Sequence, residues 1–220
     1  GREVHVMSVP LDTILVLMIL ACFLLLGSSR LSTCIRFCAL QGIMVGLLPI
    51  AVSGANTTVR VVAIGAVFMG LKGFVFPYLL SRALRESDTS HEVQPFVGYA
   101  ASIFVGVLSL LASFWLDARL KLPVHATSDL VVPVAFSMMM TGLFLIVARR
   151  TAMNQVIGYL VLENGIYTFG LAIVWEIPVL IELGVLMDMF VAVFVMGIAI
   201  YRINREFDHI DSDRLTTLKG

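Results

Sequence analysis

The segment VRVVAIGAVFMGLKGFVFPYLLS, residues 59–81, decides the fold. From Val61 onward it holds one charged residue, Lys72. A helix needs roughly 20 mainly apolar residues to cross the hydrocarbon core of a bilayer, and this segment has that length. Comparable runs lie on both sides of it, at Val9–Gly27, Thr33–Ser53, Pro95–Leu116, Leu130–Val147, Thr151–Trp175 and Val179–Tyr201. About seven transmembrane helices are therefore expected. Ser28-Ser29-Arg30, the stretch 54–58, the charged stretch Arg82–Gln94 and Asp117–Asp129 connect them, with tight turns at Arg149-Arg150 and Glu176-Ile177-Pro178.

The composition agrees. Of 220 residues, 59% are hydrophobic and 14% charged, with mean hydropathy +0.98; soluble domains carry about 25% charged residues. A chain this small cannot hide so much apolar surface, so lipid must solvate it. The expected fold is an all-α, polytopic membrane protein, with the bilayer as its first partner. The run at Val9–Gly27 has no basic region before it and is long enough to span, so it reads as a retained helix rather than a cleaved leader. With a formal net charge of zero, nothing points to nucleic acid.

Basic residues prefer cytoplasmic loops. An outside N-terminus puts Arg30, Arg36, Arg82, Arg85, Arg149, Arg150, Arg202, Arg205, Arg214 and Lys219 inside, leaving Arg2, Arg60, Arg119 and Lys121 outside with Glu176 and Glu182. Trp115 and Trp175 then fall at the outer interface, and Tyr78, Tyr99 and Tyr201 toward the inner one. The expected orientation is N-outside, C-inside, in the cell membrane.

Cys22, Cys34 and Cys38 fall inside apolar runs and read as packing residues rather than disulfide or metal ligands. His5, His91, His125 and His209 lie in termini or loops, so no histidine pair is available inside the bundle for a b-type haem. There is no phosphate loop, Ser/His/Asp arrangement or zinc motif. No catalytic residue, metal ligand or cofactor-binding residue is expected in this chain. A retinal protein would need a lysine in the last span, and none is there.

Three ionisable residues stand where the bilayer makes them costly. Lys72 lies in the third span, Glu163 in the sixth and Asp188 in the seventh, each roughly 13–20 Å from its helix entry. A charge there costs on the order of 2.5–3.5 kcal/mol on insertion scales, and such residues usually face a bundle interior or an ion path. Burial disfavours the charged form of such a group, and an opposite charge nearby favours it. A group held between those effects takes up and releases a proton near neutral pH. The plainer reading is an ion pair that staples helices. Tyr167, one turn beyond Glu163, is placed to hydrogen-bond it or a water. Gln41 alone reads as polar glue between helices. Pro77, five residues after Lys72 and preceded by Gly70 and Gly73, predicts a kink that frees a carbonyl near the lysine.

Two stretches read alike: RFCALQGIMVGLLPIAV from Arg36 and GYLVLENGIYTFGLAIV from Gly158, with Gln41 and Glu163 at matching positions. The helix after each carries one ionisable residue, Lys72 or Asp188. This suggests a 3+1+3 parallel repeat. Its units would be 1–92 (spans 1–3), 93–121 (a linking fourth helix), 122–204 (spans 5–7) and a cytoplasmic tail at 205–220, expected to dock on a neighbouring subunit.

The stretches NQVIGYLVLENGIYTFGLA (Asn154–Ala172), VLMDMFVAVFVMGIAIYRI (Val185–Ile203) and IDSDRLTTLKG (Ile210–Gly220) resemble hydrogenase-4 component E, as does FMGLKGFVFP around Lys72. The likeness runs over nearly the whole chain. Over spans 5–7 it extends to subunit K of respiratory complex I and to the matching small subunit of multisubunit cation/proton antiporters. It implies a non-catalytic membrane-arm subunit of a group 4 nickel–iron hydrogenase or a related redox-driven ion pump. The partners it implies are antiporter-like and other membrane-arm subunits. The nickel–iron (NiFe) centre and iron–sulfur clusters would sit in partner subunits.

In subunit K two acidic residues belong to a central hydrophilic axis. Glu163 matches the first; Asp188 lies near the second, but it is aspartate and follows a shorter loop. Lys72 has no counterpart there. The proton pathway implied comprises Glu163, Lys72, Asp188, Gln41 and Tyr167. A cation/proton antiporter subunit and a purely structural spacer remain alternatives at this point, with a self-sufficient transporter behind them.

Overall fold

A computed structural model describes residues 2–53, 57–85, 97–120, 128–149, 151–173 and 184, the first nine of these and residues 172 and 173 as backbone only. The expected seventh span with Asp188, the turn at Glu176–Pro178, His91, His125, His209 and the tail from Arg202 lie outside the described residues, whereas His5, expected in a terminus, falls in the first turns of a helix. No β-strand occurs among the described residues.

Helices α1 (Arg2–Gly27) and α2 (Leu31–Ser53) form the first pair. The third apolar segment is one continuous rod of three parts: α3 (Val59–Gly70), a π turn (Leu71–Val75) and α4 (Phe76–Arg85). Then follow α5 (Tyr99–Arg119), α6 (Val131–Ala148) and α7 (Ala152–Ile173). Among the described residues, four segments are long and apolar enough to cross a membrane: Leu31–Ser53, Val59–Arg85, Tyr99–Arg119 and Val131–Ala148. α1 adds an apolar stretch at Leu11–Gly27. The chain is a multi-pass, all-helical membrane protein.

Where the expected spans meet the helices, most ends agree within a few residues. α1 begins at Arg2, well before the apolar run it carries. α5 begins at Tyr99 instead of Pro95, with Gly98 in an extended conformation at its N-cap. The rod runs on to Arg85, past the expected end at Ser81.

α6 packs most extensively on α7, α2 on α3, and α2 also crosses α7 and the π turn. α5 leans on α1 and α6. Two glycine contacts bring the central backbones together. A Cβ on Gly142 would stand 2.5 Å from the Leu162 nitrogen and 2.7 Å from the Gly158 carbonyl oxygen, so α6 and α7 touch main chain to main chain. A Cβ on Gly42 would lie 2.5 Å from the Lys72 carbonyl, so α2 lies directly on the π turn. Small residues at such crossings are how membrane helices gain close packing when lipid is as apolar as their side chains.

The π turn has a reason in the sequence. The buried stripe of the rod runs Val61, Gly65, Phe68, Lys72, Phe76 and Leu80. Each four-residue step in an α-helix overshoots a full turn by about 40°. The three steps from Phe68 to Leu80 would carry the stripe some 120° off the core. One wider turn, with the Phe76 N–H donating to the Leu71 carbonyl, absorbs the drift. Pro77 follows at once. The expected disturbance near Lys72 is thus a π turn within a continuous helix.

Candidate functional site

Lys72 stands in the π turn and Glu163 in the middle of α7, and the fold brings them together. Lys72 Nζ donates to Glu163 Oε1 at 2.8 Å, with both side chains almost wholly buried. Asn164 Oδ1 lies 3.5 Å from the same ammonium. The ring of Phe68, one turn before the lysine, faces it at 5.7 Å. Each neighbour suits a cation: a carboxylate, an amide oxygen and an aromatic face.

α7 makes this possible by being enclosed. It carries Asn154, Gln155, Glu163 and Asn164, yet none of its side chains from Ala152 to Leu171 is exposed. Thr168 returns its hydroxyl proton to the Asn164 carbonyl at 2.7 Å, satisfying itself within the helix. A buried ion pair holds only when geometry and extra hydrogen bonds offset desolvation, and breaking one partner away typically costs about 3–5 kcal/mol.

The other expected residues are placed differently. Gln41 is fully buried but turns to α1, donating to the Met18 carbonyl at 3.2 Å and to Cys22 Sγ at 3.1 Å. Its Oε1 meets no hydrogen-bond partner among the described residues. Tyr167 packs its ring on Phe68 at 4.7 Å between centroids, and its buried hydroxyl likewise finds no partner among the described residues. Of the two expected partners, Glu163 or a water, Glu163 is not bonded directly, and the ring packs on Phe68. A Cβ on Gly184 would stand 2.9 Å from the Phe68 ring, so this glycine closes over that aromatic pair. Asp188 lies outside the described residues.

Sequence reasoning missed Asn164 and Arg149. Asn164 had a signal, since it is a polar neighbour of Glu163 in an apolar helix. Arg149 was read only as part of a tight turn on the cytoplasmic side. It is 1% exposed. Its Nη2 donates to the Leu26 carbonyl at 2.9 Å, at the C-terminus of α1, and its guanidinium lies 5.4 Å from the Tyr99 ring. The helix dipole favours a cation there. Desolvation is the largest influence on its pKa and lowers it from the ordinary arginine value. Its Nη1 has no hydrogen-bond partner among the described residues. Nothing in a tight Ala-Arg-Arg-Thr turn announces such burial.

Comparison with known proteins gives this geometry a family setting. Residues 130–220 match the family model for NADH-ubiquinone/plastoquinone oxidoreductase chain 4L. The uncharacterized protein Rv0085 of Mycobacterium tuberculosis is 28% identical over 203 residues, covering 92% of both chains. Hydrogenase-4 component E of Escherichia coli K12 is 28% identical over 149 residues, 68% of this chain and 69% of that one. The Shigella flexneri component E matches to the same extent. No solved structure matches significantly. The chain is a homologue of hydrogenase-4 component E over two-thirds of its length, and its C-terminal part, which includes Glu163, is similar to oxidoreductase chain 4L.

Proposed function

We propose that this chain is a membrane-arm subunit of a complex I-like assembly, of the group 4 nickel–iron hydrogenase type, and that it helps move protons or another ion in step with electron transfer. Its homology to a hydrogenase component and to an oxidoreductase chain supports membership in such an assembly. The observation that carries the transport reading is the enclosed Lys72–Glu163 pair at 2.8 Å. Passing one proton from the ammonium to the carboxylate neutralises both groups without leaving a bare charge. A small change in the surrounding field then decides which state is held. Moving one charge across 100 mV is worth about 2.3 kcal/mol, so the drive must come from partner subunits that hold the redox centres.

In this reading Glu163 is the principal proton carrier and Lys72 sets its charge state, with Asn164 steadying the ammonium. Asp188 passes protons onward, and Gln41 and Tyr167 border the path. The assembly sits in the cytoplasmic membrane beside antiporter-like subunits.

The first test is purification of a tagged chain in gentle detergent, with partners identified by mass spectrometry. The proposal expects a nickel–iron large subunit, iron–sulfur subunits and antiporter-like subunits. Antiporter-like partners without redox subunits would move the function to cation/proton exchange. The second is Glu163→Gln in membrane vesicles driven by the electron donor. Proton uptake should vanish while the partners still co-purify, and unchanged uptake would reduce the pair to a structural staple.

A further inference from the structure

The lysine of the ion pair stands inside the π turn, and a π turn is not fixed in place as an α-helix is. It travels along a helix when its N–H groups change acceptors. Here the Phe76 N–H donates to the Leu71 carbonyl; in plain α-helix its acceptor is the Lys72 carbonyl. Travel toward the C-terminus is barred. The next π bond would have the Pro77 nitrogen donate to Lys72, and proline has no N–H. Travel toward Val59 is open. The Leu71 N–H is already shared between the Phe68 and Val67 carbonyls, and a Cβ on Gly70 would meet nothing within 4 Å among the described residues.

We infer that the rod is a two-register switch that turns Lys72 toward Glu163 or away from it. In the observed register Lys72 follows the helical phase of Phe68 and reaches Glu163 at 2.8 Å. When the π turn lies N-terminal to Gly70, Lys72 follows the phase of Phe76 instead. Each residue between the two positions of the turn changes its bearing by about 100°, one α-helical step. Val61 on one side, and Phe76 and Leu80 on the other, keep their places. The ion pair holds the observed register, because parting two buried charges leaves both without compensation. After the proton passes from Lys72 to Glu163 both groups are neutral, and the amine is released while Glu163 keeps the proton. The inference rests on reading the pair as proton-handling, and it ties the position of the proton to the register of the rod.

Gly70 separates the two registers. Residues three apart share a helix face, so in the shifted register Gly70 joins the face of Gly73. That face meets α2: a Cβ on Gly73 would lie 2.6 Å from Ile43 Cγ1. A large side chain at position 70 therefore has room in the observed register only. Ala63, two turns before Gly70 and also exposed, lies outside the segment that turns.

Gly70→Leu and Ala63→Leu are made in the full tagged chain, with partners present, and proton uptake is followed in membrane vesicles driven by the electron donor. Both variants should co-purify with their partners; Ala63→Leu should keep its uptake and Gly70→Leu should lose it. Normal uptake by Gly70→Leu would overturn the switch, as would equal loss in both variants. A second measurement covers a Gly70→Leu chain that does not assemble. Leu47 lies one turn along the antiparallel α2 from Ile43, so Gly70→Cys with Leu47→Cys, in a chain whose Cys22, Cys34 and Cys38 are replaced by alanine, should cross-link on oxidation. No cross-link would mean that the rod keeps one register and would overturn the inference. A cross-link together with normal uptake by Glu163→Gln would keep the switch and reject the relay.

Discussion

α5 and α7 are helices of nearly equal length with opposite fortunes. α7 holds Glu163, Asn164, Asn154 and Gln155 and exposes no described side chain. α5 shows Ile103, Phe104, Val107, Leu108, Leu111, Phe114 and Trp115 to its surroundings, and buries Ser102, Gly106 and Ser113. Those two serines bond to their own helix, Ser102 to the Gly98 carbonyl at 3.1 Å and Ser113 to the Ser109 carbonyl at 2.7 Å. In water this arrangement would be inside out. In lipid it is economical: large apolar groups cost nothing outside, while small and polar groups either let helices approach or must find partners within. Enclosure, rather than hydrophobicity, is what sets the central helix apart from the peripheral one.

The comparison breaks most severely at its tightest contact. Gly142→Leu would drive a side chain into the Leu162 and Gly158 backbones, where nothing can give, and the chain should fail to accumulate in the membrane. Ala112→Leu on the exposed face of α5 should leave its level unchanged by immunoblot. Next comes the ion pair. Glu163→Leu leaves Lys72 without its carboxylate and should cost about 3–5 kcal/mol in detergent unfolding. Adding Lys72→Met should restore most of that stability and none of the ion movement. Recovery of both would mean that the pair only joins helices.

Placing a charge on the outer helix sharpens the contrast further. Leu111→Lys on α5 should cost about 2.5–3.5 kcal/mol if that face meets lipid. If a partner subunit covers it, the loss will appear as failed co-purification instead. The smallest effect belongs to Trp115→Ala. Trp115 is 61% exposed with Arg119 at 5.1 Å from its ring, and such a contact is worth about 0.5–1 kcal/mol. A shift larger than that would show the ring to be buried in an interface.

Length and hydropathy were enough to locate the described helices, because a bilayer imposes both. Lys72 and Glu163 were also legible, since an ionisable residue in an apolar run is too costly to stand there without a partner or a task. That they meet each other was open in the sequence, since 91 residues separate the two. Gln41 read on its own as polar glue between helices, and it joins α2 to Met18 and Cys22 of α1. Which way it turns was not legible, because the matched stretches around Gln41 and Glu163 fix chain position and not rotation about the helix. Arg149 was illegible for another reason. Hydropathy and the positive-inside rule count charges in loops and carry no information about whether an arginine at a helix end folds inward.

The π turn has one more consequence, for chain length. Between Phe68 and Phe76 the rod holds one residue more than an unbroken α-helix would need to keep Lys72 and Phe76 on the same face. A chain shortened by one residue at Phe74 could therefore run as plain α-helix with its buried stripe still in phase. The same deletion outside the π turn would turn half of that stripe toward lipid. Lys72 thus sits at the one place in its helix where the sequence has room to lose a residue.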